Sequence, residues 1–96
     1  MTSKVLIADE IKLLSLYPVP LKTSTLSVKL NLSGTGITKL ELRNLIGKKI
    51  EEKEVFPSTE EVYFYGVDTN PEGVYIIIAR NANGKVLEIS KFILNK

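Results

Sequence analysis

Ser90 and Lys91 stand side by side near the end of this 96-residue chain, and a serine activated by a lysine is one way to build a nucleophile. The segment around them reads as a β-strand, on which adjacent residues face opposite ways, so the pair does not form. Two carboxylate groups, Glu51-Glu52-Glu54 and Glu60-Glu61, raise the possibility of acid–base chemistry. Glycoside hydrolysis needs two carboxylates facing each other across a cleft; these lie along one charged stretch and read as a solvated edge. The chain has no histidine and no cysteine. That removes the commonest general base and metal ligand, every disulfide and every thiolate metal site. The inventory argues against an enzyme, and no catalytic, metal-ligating or cofactor-binding residue is assigned.

Weaker patterns have simpler readings. Asp68, Asn70 and Glu72 alternate as in a calcium loop, but the later glycine and closing glutamate of an EF-hand are missing and Pro71 intrudes, so a polar turn is expected. Gly34 and Gly36 lack the third glycine and the helix of a dinucleotide site. Asn31-Leu32-Ser33 matches the glycosylation triplet, yet Asn31 falls in a strand pattern and so short a match arises by chance. Tyr17, Tyr63, Tyr65 and Tyr75 sit among apolar residues. A nucleic-acid platform interleaves aromatics with basic side chains, and Tyr63 and Tyr65 have none beside them in sequence, so sheet and core packing is expected.

The elements that carry these residues read as strands. Thr25 to Leu32 alternates strictly, with Leu26, Val28, Leu30 and Leu32 on one face, the pattern of a half-buried strand; Pro18 and Pro20 delimit its approach. Leu40 and Leu42 alternate with Lys39, Glu41 and Arg43 in a second strand, and Asn44-Leu45-Ile46-Gly47 reads as a turn. Lys48 to Phe56 is the return, an edge strand whose charges resist sheet-to-sheet aggregation, with a short helix as the competing reading. Glu61 to Val67 is rich in aromatic and β-branched residues, and Asp68 to Gly73 is the clearest loop. Val74 to Arg80 is nearly all apolar, as in a central strand covered on both faces. Asn83-Gly84 signals a hairpin in which both residues accept positive φ, and Lys85 to Leu94 is the last strand. Val5 to Ala8 and Ile11 to Leu16 are two further candidates. No long helix, internal repeat or low-complexity segment is evident. Seven or so short strands, with turn signals about every ten residues, predict an all-β antiparallel two-sheet sandwich of immunoglobulin-like type.

Composition agrees with one small globular domain: 44% hydrophobic, 25% charged, net charge +2. So balanced a charge gives no reason to expect nucleic acid as a partner. Residues 1–48 carry seven Lys/Arg against three Asp/Glu, and residues 49–96 six against eight; the asymmetry could orient docking, though it is usually only a solvated surface. The apolar run Val5–Ala8 is followed at once by Asp9 and Glu10. It is shorter than a signal-peptide core or a membrane helix, so no membrane insertion is expected, and an export signal would sit on a larger parent chain.

Leu16-Tyr17-Pro18-Val19-Pro20, the turn Leu42–Ile50 (Leu-Arg-Asn-Leu-Ile-Gly-Lys-Lys-Ile), Glu72–Ile78 leading into Asn83-Gly84-Lys85, and the closing Lys91-Phe92-Ile93-Leu94-Asn95-Lys96 occur in that order. Each is weak alone; four in order at this spacing are fairly specific. Together they resemble the type A C-terminal sorting domain of the type IX secretion system of Bacteroidetes. The resemblance covers residues 16–96, with 1–15 as an upstream linker or extra strand. The family usually has asparagine between the two prolines; Val19 cannot make the side-chain turn that asparagine can.

The resemblance implies a fold of the type already expected and a role as an address. Such domains follow an N-terminal cargo domain, are recognised in the periplasm by the translocon, and are processed after outer-membrane passage by a sortase-like protease, leaving the cargo at the cell surface or secreted. It also implies the recognition residues: Tyr17, Pro18, Pro20, Asn44, Gly47, Lys48, Gly73, Tyr75, Gly84, Lys85, Lys91 and Lys96. Turn geometry alone accounts for Gly47 and Gly73. The last strand, with Phe92, Ile93 and Leu94 beside lysines, could pair with a partner sheet and be steered by Lys85, Lys91 and Lys96 to an acidic receptor; solubility is the plainer role for those lysines. The same edge could make a dimer. An immunoglobulin-like accessory or adhesive module is the alternative, since the fold hosts both.

Overall fold

The computed structural model describes residues 12–31 and 36–96. Within them the chain forms seven strands: β1 (Leu14–Tyr17), β2 (Leu26–Leu30), β3 (Ile37–Asn44), β4 (Lys49–Glu54), β5 (Glu61–Phe64), β6 (Gly73–Asn81) and β7 (Val86–Leu94). A 3-10 turn, Val67–Thr69, joins β5 to β6. β1, β2 and β5 make one sheet in the order β1-β2-β5; the other runs β4-β3-β6-β7, and all neighbours are antiparallel. This is the expected sandwich. Relative to a constant-type immunoglobulin domain, the fourth strand lies beside β3 in the larger sheet.

Alternation decides what enters the core. Leu26 and Val28 of β2, Leu40 and Leu42 of β3, Ile77 and Ala79 of β6, and Phe92 and Leu94 of β7 point inward, all essentially without solvent contact, and meet Leu14, Leu21 and Phe64. Every strand except β4 gives this core a fully buried residue; β4 adds only the half-buried Ile50. That strand is at an edge and carries Lys49, Glu51, Glu52, Lys53 and Glu54, as its charge pattern predicts.

Several expectations change. The strand expected over Glu61–Val67 stops at Phe64, because Gly66 takes the left-handed conformation (φ 68) and turns the chain. Tyr63 and Tyr65 are not core residues: both are exposed, stacked with centroids 6.2 Å apart, and the Lys53 ammonium lies 5.9 Å from the Tyr65 ring. They occupy outward positions that sequence neighbours did not disclose. β6 is central in its sheet, but only its inner side faces the core; Val74 and Ile76 on the outer side stay partly exposed. The β6–β7 turn spans Asn81–Gly84, with positive φ at Gly84, φ 84. The candidate strand Val5–Ala8, Gly34 and most of the Asn31-Leu32-Ser33 triplet lie outside the described residues.

The two hairpins of the larger sheet share one sequence pattern, Arg-Asn-x-x-Gly-Lys. Arg43-Asn44-Leu45-Ile46-Gly47-Lys48 joins β3 to β4, and Arg80-Asn81-Ala82-Asn83-Gly84-Lys85 joins β6 to β7. This is a short internal repeat that the sequence reading missed. In both, the asparagine carbonyl accepts the glycine N–H and the asparagine Oδ1 accepts the lysine N–H at 2.9 Å. Both glycines have positive φ, 91 and 84, the glycine position of a bulged hairpin turn. Because Asn44 pairs with Tyr75 and Ile37 with Asn81, the two turns lie at opposite ends of the sheet.

Candidate functional site

Hydrogen-bond register places most of the motif residues at one end of the sandwich. Asn44 closes β3 opposite Tyr75, and Gly73 at the start of β6 pairs with Leu94 at the end of β7. Leu21 bridges to Leu94 in parallel: its N–H donates to the Ile93 carbonyl and its carbonyl accepts the Asn95 N–H, both at 2.8 Å. The Tyr17–Pro20 stretch thereby leads to the same end, with Val19 beside Ile89–Lys91 on the way. Pro20, Asn44, Gly47, Lys48, Gly73, Tyr75 and Lys96 therefore lie at that end, and Tyr17 and Pro18 on the approach to it. Gly84 and Lys85 do not; they form the opposite end. Lys91 sits midway along β7, opposite Ile76.

Each member is held for a physical reason. Leu21 is fully buried, and this apolar anchor docks the proline stretch against β7. The Tyr17 hydroxyl donates to the Glu61 carboxylate across the smaller sheet. Tyr75 stacks on Phe92 with centroids 5.8 Å apart, and its hydroxyl donates back to the Pro71 carbonyl. That backward bond, near the start of the sixth strand, is the tyrosine corner of immunoglobulin-like sandwiches. It pins the loop ahead of Gly73, whose φ of 148 lies where side chains are rarely found. Lys96 is tied by its backbone N–H to the Glu72 carboxylate at 3.0 Å. At the β3–β4 tip the side chains of Leu45 and Ile46 project into solvent; Ile46 is 88% exposed. Between this tip and Asn70–Val74 lies an open cleft of about 530 Å³, walled by Ile46, Lys48 and Ile50 on one side and Pro71, Glu72 and Tyr75 on the other.

Glu41 is the one buried charged residue among those described, 4% exposed, on the outward face of β3. Its Oε1 accepts from Arg43 Nε at 2.9 Å and lies 3.2 Å from Arg80 Nε. Burial works against its charge, but the two arginine hydrogen bonds and their positive charges outweigh that and hold the carboxyl below its ordinary value. Each arginine also donates from Nη1 to the glycine carbonyl of its own turn, Arg43 to Gly47 and Arg80 to Gly84. Sequence reasoning missed Glu41 and Leu21. The repeated Arg-Asn-x-x-Gly-Lys was the available signal for the first; nothing marked the second, a leucine just after two prolines.

This end offers apolar tips, a cleft and two lysines on a rigid sandwich, and it suits recognition by another protein. The class is an export-address domain: the family model for the secretion system C-terminal sorting domain matches residues 15–95. The chain belongs to that family, carries a type IX secretion sorting signal, and so engages the type IX secretion machinery. No curated protein matches the chain. Among the described residues, no helix is long and apolar enough to cross a membrane.

Proposed function

We propose that the type IX translocon reads this domain at the motif end, carries its cargo across the outer membrane, and passes it to a sortase-like protease for release or surface attachment. In this role the domain is a substrate and not a catalyst, and Tyr17, Pro18, Pro20, Asn44, Gly47, Lys48, Gly73, Tyr75 and Lys96 form or support the surface that is read. One observation carries the reading. At the end that holds most of the motif residues, Leu45 and Ile46 project into solvent beside an open cleft of about 530 Å³ walled by Ile46, Lys48, Pro71 and Tyr75, a surface that a receptor can grip.

The test is secretion of a periplasm-directed fluorescent protein carrying residues 1–96 at its C-terminus, in a Bacteroidetes host with and without a working translocon. Surface or medium fluorescence that needs the translocon supports the reading. A folded reporter held in the periplasm of both hosts refutes it. The exposed Tyr63–Tyr65 pair favours a second reading, a sugar-binding accessory module, since stacked exposed aromatics suit the faces of sugar rings. A glycan array without hits, or hits unchanged by Tyr65→Ala, removes it.

A further inference from the structure

β1 and β7 border one open side of the sandwich, each paired on a single edge among the described residues. Between them runs a groove of about 650 Å³ lined by Lys12, Leu14, Leu16, Val19, Ile89 and Lys91, with two serines. Both ends are clamped. At one, the Glu88 carboxylate accepts the Leu13 and Leu14 N–H groups at 2.7 and 3.1 Å. At the other, Leu21 occupies the backbone of Ile93 and Asn95.

The backbone between the clamps is open. The Ile93 carbonyl points away from β6, since it accepts from Leu21. Antiparallel ladders alternate, so residues two and four positions back point the same way. Ile89 and Lys91 thus turn N–H and C=O into the groove, and no backbone partner meets them among the described residues. Such an edge is a template for another strand. It is flat and short, room for about five residues, or ~17 Å of strand.

We propose that this groove accepts one β-strand of a partner polypeptide, hydrogen-bonded to Ile89 and Lys91, with aliphatic side chains toward Leu16 and Val19 and a carboxylate beside Lys91. The proposal rests on the address reading and gives that address a second contact. Charge selects the occupant. Two lysines line the groove; the acid at its clamped end, Glu88, is taken up by the Leu13 and Leu14 N–H groups and the Ser90 hydroxyl, and no ion pair engages Lys91 among the described residues. A second copy gains nothing from charge: antiparallel self-pairing centred on the groove sets Ile89 opposite Lys91 and offers that lysine no counter-charge, whereas opposite charges facing each other stabilise a sheet. An acidic residue at that place is favourable by the same rule.

The test is a titration of the ¹⁵N-labelled full chain with a capped peptide of about seven residues alternating valine and glutamate, and with its lysine-for-glutamate counterpart. The acidic peptide is expected to shift amides in 12–19 and 88–93 with a dissociation constant of about 1 mM or tighter, and the basic one to bind about tenfold more weakly. Lys91→Glu reverses the preference. Ile89→Pro removes an edge N–H that β6 does not use, so the fold persists and binding is lost; if that variant unfolds, Lys91→Glu alone decides. No shifts, equal affinity for both peptides, or shifts outside the groove overturn the proposal. Concentration-dependent shifts of the same amides without peptide also overturn it, in favour of a second copy. No translocon is involved, so this test and the secretion assay fail independently.

Discussion

Arg43 and Arg80 share one carboxylate oxygen, Oε1 of Glu41. They occupy the same place in two matching hairpins at opposite ends of the sheet, and each also holds the glycine carbonyl of its own turn. A single buried acid thus links both turns of the larger sheet.

Glu41→Gln is expected to lower the unfolding free energy at neutral pH by about 2 kcal/mol, because two partly buried guanidinium groups lose their counter-charge. The pH dependence carries a sign. Burial disfavours the charged form, the arginines favour it more, and the folded value lies below 4.5. The contribution is therefore complete above about pH 4.5 and is lost as pH falls through the folded value. Denaturant melts across that range should show a flatter slope for Glu41→Gln than for the wild type; equal slopes would contradict the assignment.

Asn44→Ala and Asn81→Ala separate stability from recognition. Asn44 Oδ1 takes one N–H, that of Lys48, while Asn81 Oδ1 takes those of Asn83 and Lys85. The first substitution should cost about 1 kcal/mol and the second somewhat more, adding in the double variant because the turns are remote. Only Asn44→Ala should reduce translocon-dependent export, since Asn81 lies at the far end. Equal export defects in the two would mean that turn stability, and not the motif end, sets the signal.

Tyr75→Phe keeps the stack on Phe92 and deletes the bond to Pro71. A loss of about 1 kcal/mol is expected, with faster amide exchange around Asn70–Gly73. Phe92→Ala removes a fully buried ring and should cost about 3–5 kcal/mol, enough to unfold much of a domain this small at 37 °C. A Tyr75→Phe variant as stable as the wild type, with unchanged exchange, would show that the corner bond contributes nothing.

Leu21→Ala removes the anchor of the proline stretch. Thermal melts should show a loss of about 2–4 kcal/mol. Because Leu21 also shields Ile93 and Asn95, the Asn95 amide should lose exchange protection more than amides at the β6–β7 turn. Uniform loss would mean that the bridge to β7 forms only with the whole fold.

What was legible followed from periodicity. The alternation of Leu26, Val28 and Leu30, and of Leu40 and Leu42, named the inward faces of β2 and β3, and the charges of Glu51–Glu54 named an edge. Periodicity assigns a face, however, not what covers it. Glu41 alternates with two leucines, so it read as solvent-facing; arginines from two strands bury it there. Tyr63 and Tyr65 read as packed because their sequence neighbours are apolar, yet their side of β5 has no layer above it. The outer side of β6 read as covered for the same reason. At the candidate site, the turn glycines were legible because few other residues take their φ. The meeting of Asn44, Gly73 and the chain end with the proline stretch was not, because it depends on strand direction and on the Leu21 bridge.

The placement of the two ends has a mechanical consequence. A load applied between Lys12 and the Leu94 end enters through β1 in one sheet and β7 in the other, parallel to the strands. The ladder bonds joining β1 to β2 and β7 to β6 are then strained in shear and must yield together, whereas a load across a hairpin mouth would open them one at a time. A domain held at its motif end and tethered at the other would resist traction as a unit, as a towing eye does.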